Sequence, residues 1–211
     1  AEFMSVFPSP RSGPVLQLIA SGLKLWIRSS CESIGDLKLE LQGSGLGLLQ
    51  GKLEGVTLTA REVRFRGLPL QLADLRSGPI QVNLTPGGVV LQQFFDVQGE
   101  VTITGRGLNE ALLSEPWRWL GDWLAEQLMG LTPLGGLLID NDQMELRVPV
   151  IAHKDPARRR FRLRAAQGTV AIQPIDDDNI TLLPMDEGIQ IEQAELQAGI
   201  LHLHGRARVT P

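Results

Sequence analysis

Apolar residues in this chain recur with two different periods, and the places where one gives way to the other predict its elements. From Pro14 to Ile34, the residues Val15, Leu18, Ile19, Leu23, Trp26, Ile27, Cys31 and Ile34 step by three and four, with Gln17, Ser21, Lys24, Arg28 and Glu32 opposite. That spacing puts the apolar set on one face of a helix. Past Gly35 the period drops to two. Leu37, Leu39 and Leu41 alternate with Asp36, Lys38 and Glu40, and similar runs follow at Val56–Ala60, Val63–Phe65, Leu68–Leu72, Ile80–Leu84 and Val97–Ile103. Gly43 to Gly47 reads as a loop, and Pro86-Gly87-Gly88 as a turn. The apolar phase shifts between Ala60 and Val63, which predicts a bulge near Arg61–Glu62.

Gly107 to Gly130 returns to the helical period and holds three of the four tryptophans. Leu113, Trp117, Leu120, Leu124, Leu128 and Leu131 form one apolar row; Leu112, Trp119 and Trp123 form a second beside it. Such a face is wider than a surface helix needs, so it is buried from more than one direction or offers one side to something apolar. Ser114-Glu115-Pro116 has the character of a second helix start, predicting a short helix to about Leu113 and a main helix of about 15 residues stopped at Gly130. Alternation then resumes at Met144–Val150, Phe161–Ala165, Val170–Ile172, Ile180–Leu182, Ile189–Ile191 and Leu201–Val209. Many half-dry strands in series predict an antiparallel meander, and the two amphipathic helices are its available covers. The expected class is α+β: a long, curved antiparallel sheet wrapped around a central Trp-rich helix, with the N-terminal amphipathic helix in addition.

The chain has 211 residues, a net charge of −4 and a single cysteine. This allows one domain over 14–211 behind a flexible tail at 1–13, in which Ala1-Glu2-Phe3 before Met4 resembles a cloning remnant. The overall charge argues against a nucleic-acid partner, and Cys31 alone excludes a disulfide framework or a cysteine-based zinc site. Lys24 and Arg28 interrupt the apolar run that a membrane crossing needs. The N-terminal helix therefore docks on its own sheet or lies in a membrane interface, with Leu23, Trp26 and Ile27 as the contact residues in the second case. If Met4 is the native start, the location is cytoplasmic or peripheral on the membrane; if the natural chain begins further upstream, it is periplasmic.

The sequence carries no recognisable catalytic constellation. There is no nucleophile elbow, phosphate loop or dinucleotide fingerprint, so no cofactor, metal or enzymatic activity is expected. His202 and His204 share one strand face but alternate with Leu201 and Leu203, as residues of a wet face do. Asp176, Asp177 and Asp178 read as a solvated turn. The sharpest charge feature is basic: Arg158 and Arg159 lead into Arg160, Arg162 and Arg164, the last three projecting opposite Phe161 and Leu163 at intervals of ~7 Å. Two readings stay open: an anionic membrane contact, or a positively charged strand edge that resists aggregation.

Two stretches carry a resemblance to a known family. Gly51 to Leu84 (GKLEGVTLTAREVRFRGLPLQLADLRSGPIQVNL) resembles the opening of the bacterial LmeA-like phospholipid-binding family. Gly99 to Glu115 (GEVTITGRGLNEALLSE) is similar to that family's strand-into-helix step, through Leu108-Asn109-Glu110-Ala111-Leu112. The order of elements extends the likeness over roughly residues 36 to 205. The resemblance implies a fold related to the tubular lipid-binding proteins, and lipid binding with no catalytic residues. The expectation is then a lipid-handling protein whose groove is lined by Leu108, Leu112, Trp117, Trp119 and Trp123. Its partners would be a phospholipid or other acyl lipid and an anionic membrane surface. The competing expectation is an assembly module with a purely internal core and no lipid cavity.

Overall fold

The computed structural model describes residues 13–86, 88–91 and 93–211. The expected tail therefore lies, up to residue 12, outside the described residues. The first amphipathic segment is helix α1, Gly13–Ser30. It ends before Ile34 because the chain there is claimed by strand β1 (Ser33–Gln42), in which Ile34 pairs with Val63. A single turn and a half, α2 (Gly45–Leu49), follows, with the Ser44 hydroxyl accepting from the Gly47 amide at 3.0 Å. Then come β2 (Lys52–Leu53), β3 (Gly55–Phe65), β4 (Leu68–Ser77), β5 (Ile80–Thr85), β6 (Gly88–Leu91) and β7 (Phe95–Thr104).

The Trp-rich block forms α3 (Gly105–Leu113), a 3-10 turn at Glu115–Trp117, and α4 (Arg118–Met129). Gly130, at φ 67°, ends α4 in the left-handed conformation that glycine adopts without strain. Ser114 does not cap the second helix. Its hydroxyl donates back to the Ala111 carbonyl at 2.6 Å, closing α3. The remaining strands are β8 (Gly136–Asp140), β9 (Gln143–Val148), β10 (Ala157–Ala166), β11 (Thr169–Pro174), β12 (Thr181–Leu182), β13 (Ile189–Gln197) and β14 (Ile200–Val209).

The α+β class and its antiparallel sheets agree with the alternating pattern, but the strands divide where the pattern implied one continuous sheet. They form a six-stranded sheet β1-β3-β4-β7-β14-β13, a five-stranded sheet β12-β11-β10-β9-β8 and a small sheet β2-β5-β6. A backbone bond from the Ile191 amide to the Gly168 carbonyl (2.8 Å) joins the first two. The bulge expected near Arg61–Glu62 takes another form. Glu62 has φ 52°, yet pairing stays in step on both sides of it, Arg61 with Asp36 and Leu72, Val63 with Ile34 and Leu70. No residue is inserted. The inward parity changes at one level in three neighbouring strands, from Leu37 to Ile34, from Ala60 to Val63 and from Ala73 to Leu70. A register shift does occur between Ile191 and Gln193 of β13.

Two separate apolar cores result. One joins α3 and α4 to β8–β11 and the adjoining ends of β7, β13 and β14, around Leu112, Leu124, Leu128, Leu146 and Phe161. The other lies under α1, where Leu16, Ile19 and Leu23 meet Leu39, Leu41, Val56, Ile80, Val82 and Leu91. Gly22 sets the depth of α1: a side chain at that position would run into Val89 of β6.

Candidate functional site

Between the C-terminal half of α1 and the sheet lies a cavity of about 270 Å3. Trp26, Ile27, Ser30 and Cys31 form its roof. Its floor is the inward face of β3, β4 and β7, including Leu58, Ala60, Ala73, Leu75 and Val97, and Ile34 and Phe65 stand at one end. The reason for the void lies in side-chain size. Ala60 and Ala73 are cross-strand partners and fill the middle of the floor with a methyl group each, where other strands place leucine or valine. Trp26 and Phe95, edge to face at 6.3 Å between ring centroids, hold roof to floor at the inner end.

The lining is apolar except for Ser30, Ser77 and the Cys31 thiol. Both hydroxyls are engaged: Ser30 donates to the Trp26 carbonyl at 2.9 Å, and Ser77 accepts from the Val56 amide at 2.9 Å. Burial, with the nearby Glu32 carboxylate second, pushes the Cys31 thiol up from its ordinary pKa. A cavity of this lining has little to offer water and much to offer hydrocarbon. Phe65 is 37% exposed and Ser30 is exposed, whereas Ile80, Leu91 and Phe95 are buried. The cavity therefore reaches the surface at its Phe65 end. A second hollow of about 310 Å3, lined by Leu91, Gln93, Phe94, Thr210 and Pro211, adjoins the closed end. Its more polar lining suits water.

The residues expected to line a groove sit elsewhere. Leu112 is buried in the core around α3 and α4, and Leu108 and Trp123 pack against it. Trp117 donates its ring N–H to the Arg66 carbonyl at 2.7 Å and stacks on Trp119, which is 56% exposed. None of the five lines the cavity. Leu23, Trp26 and Ile27, considered as outward membrane contacts, all face inward, and Trp26 and Ile27 form the cavity roof.

The arginine strip separates into two kinds of residue. Arg159 points the other way from its neighbours: it donates to the Leu128 carbonyl at 2.8 Å near the end of α4, pairs with Asp176 and Asp177, and lies over the Phe161 ring. Asp177 is in turn held below the usual carboxylate range, chiefly by the Asn179 amide and side chain. Arg160 reaches Asp140 and Glu145 at 3.5 and 3.6 Å. The Glu145 carboxyl is held low by its bond from Arg147 (2.7 Å) against the opposing effect of its burial, with Arg160 and Arg158 adding attraction. Arg158, Arg162 and Arg164 are exposed and make no ion pair among the described residues. His202 lies 3.3 Å from Glu100, His204 Nδ1 is buried without a partner among the described residues, and no group of three metal-ligating side chains occurs among them.

Sequence reasoning passed over Ala60, Ala73, Ser77 and Val97. Ala60 and Val97 stand in the alternating runs, but Ala73 and Ser77 have the opposite parity to Leu68–Leu72 and reach the inward face only through the change of parity between Leu70 and Ala73. Among the described residues no helix is long and apolar enough to cross a membrane. No curated protein and no solved structure gives a significant match. The model of the LmeA-like phospholipid-binding family matches residues 12–206. That match spans α1, the cavity floor and both cores, and the chain belongs to the LmeA-like phospholipid-binding family.

Proposed function

We propose that the protein binds a phospholipid, or another acyl lipid, by enclosing hydrocarbon between α1 and the six-stranded sheet, without catalysing a reaction on it. The observation that carries this reading is the apolar cavity under the C-terminal half of α1 in a chain of a phospholipid-binding family. An apolar cavity of ~150 Å3 admits a benzene ring, so about 270 Å3 suits a chain segment of roughly ten carbon atoms. At ~0.8 kcal/mol per methylene, its burial contributes on the order of 8 kcal/mol, enough to offset much of the cost of leaving a bilayer. The outward arginines Arg158, Arg162 and Arg164 add long-range attraction to anionic lipid surfaces.

The test fills the cavity. Ala60→Leu with Ala73→Leu should leave the fold intact and abolish the lipid mass that native mass spectrometry detects on the purified protein. Equal lipid retention in this variant would exclude the cavity as the site, and a wild type that carries no lipid would favour the assembly-module reading. A second readout uses the chain's single cysteine. Bound lipid should slow alkylation of Cys31, measured at alkaline pH because its thiol titrates above the ordinary range.

A further inference from the structure

At the surface end of the cavity, aromatic and cationic side chains from three parts of the chain meet. Phe65 is the last residue of β3, and its ring both lines the cavity and is partly exposed. The Arg66 guanidinium lies over that ring, 5.2 Å from its centroid. Arg66 and Gly67, with φ of 51° and 78°, make the tight turn into β4. Against this turn stands the 3-10 segment: Trp117 donates to the Arg66 carbonyl, and a side chain at Gly67 would touch Pro116 and Trp117. Trp119 stacks on Trp117, with ring centroids 6.2 Å apart, and turns more than half of its surface to solvent. Arg118 beside it donates to the Leu113 carbonyl, leaving its charge at the surface. The last turn of α1, which forms the cavity roof, carries exposed Arg28.

Acidic groups are present at this end too, and the nearest is tied up. Glu32 accepts from the Gly67 amide at 3.0 Å. Glu115 lies in the 3-10 turn, and Glu62 stands opposite Gly35.

We propose that this rim is where the protein docks on an anionic bilayer, so that acyl chains enter and leave the cavity at the Phe65 end; the proposal rests on the lipid-binding reading above. Tryptophan is suited to the bilayer interface because its ring is apolar while its N–H is polar. Trp119, exposed over more than half of its surface, costs solubility unless it has such a surface to enter. Arg66 and Arg118 supply attraction to lipid phosphates at the same level. Docking there closes the gap between hydrocarbon in the membrane and hydrocarbon in the protein, and an acyl chain passes from one to the other without crossing water. The outer face of β10 has exposed arginines but, among the described residues, no exposed aromatic ring beside them, and none of these arginines lines the cavity. It attracts without giving a route.

The experiment uses lipid-loaded full-length protein and a double variant, Trp119→Ser with Arg66→Asn. Asparagine tolerates the positive φ of position 66, and neither residue lines the cavity. Co-sedimentation with phosphatidylglycerol–phosphatidylcholine vesicles, and transfer of a fluorescent phospholipid to them, should each fall at least fivefold. The lipid mass retained by the purified protein should not change. Wild-type tryptophan fluorescence should be quenched by vesicles carrying a headgroup-level spin label, and that quenching should diminish in Trp119→Ser. Undiminished sedimentation and transfer in the double variant would overturn the proposal. So would loss of both in Arg162→Gln with Arg164→Gln instead, which would move docking to the outer sheet face. Should the double variant fail to fold, Arg66→Asn alone decides: it must reduce binding at low salt and not at high salt. A wild type without retained lipid would instead sink the cavity reading, independently of how the vesicles behave.

Discussion

The two halves of the molecule are built from the same materials and end in opposite states. In each, an amphipathic helix covers the inward face of alternating strands. Around α3 and α4 the space is filled: Phe161, Leu146 and Val148 are completely buried, and Met144, Leu124 and Leu128 nearly so. Under α1 the helix is as well seated at Ile19 and Leu23, but beneath Trp26 and Ile27 the floor falls away to Ala60 and Ala73 and a cavity remains. Close packing is the default of protein interiors, and a void forfeits contacts on its walls. A hollow half beside a filled half teaches that the same helix-on-sheet design can be packed through or can leave space, and the proposed lipid site is the half that leaves it.

The comparison breaks most visibly by truncation. Leu124→Ala, in the filled half, should cost ~2–5 kcal/mol in chemical denaturation, because the surroundings cannot collapse into the gap. Ile27→Ala, beneath which space already exists, should cost under half as much while weakening lipid retention. Equal losses at the two positions would mean that the halves do not differ as described.

Seating α1 differently gives the next effect. Gly22→Leu drives a side chain into Val89, and overpacking of this kind costs ~1–3 kcal/mol. Because α1 is also the roof, retained lipid should change along with the melting temperature, whereas hydrogen exchange in β8–β11 should stay as in the wild type. Faster exchange throughout both sheets would show that the halves unfold as one.

A smaller effect belongs to the filled half alone and depends on pH. Glu145, 7% exposed, has its carboxyl held below the usual range mainly by Arg147. A lowered folded pKa means that its contribution is complete above the unfolded glutamate range and vanishes as pH falls through the folded value. Glu145→Gln should therefore lose on the order of 1 kcal/mol at neutral pH, and the gap to wild type should close on acidification. A gap independent of pH would assign the loss to packing.

The smallest change in stability is expected from the exposed arginines. Arg162→Gln with Arg164→Gln should shift unfolding by under ~0.5 kcal/mol and reduce vesicle binding modestly at low salt. A reduction as large as that of the Trp119 and Arg66 variant would erase the distinction between attraction and docking.

Much of this was legible in the sequence, and the reasons are local. The strand runs were visible because one wet and one dry face impose a period of two. The stop at Gly130 was visible because a helix end calls for a residue that takes positive φ freely. Even the irregularity at Arg61–Glu62 left its mark as a change of phase, although three strands changing parity together at one level is not written in any one of them. Ser114 shows the limit of such reading: its type and position fit a helix start, and the tertiary arrangement instead turns its hydroxyl back to close the preceding helix.

What the tertiary structure alone decided is which helix covers which floor, and with how much room. The Trp-rich block has the wider apolar face and so reads as the binding element, yet Leu112 is buried in the core it shares with β8–β11, Leu108 and Trp123 pack against that core, and none of the three lines the cavity. The plainer helix α1 meets a floor in which Ala60 and Ala73 face each other across strands, and the space belongs to it. Periodicity records which side of a residue is dry. Whether dryness comes from another side chain or from a cavity depends on the sizes of residues far apart in sequence, and only the assembled strands bring those sizes together.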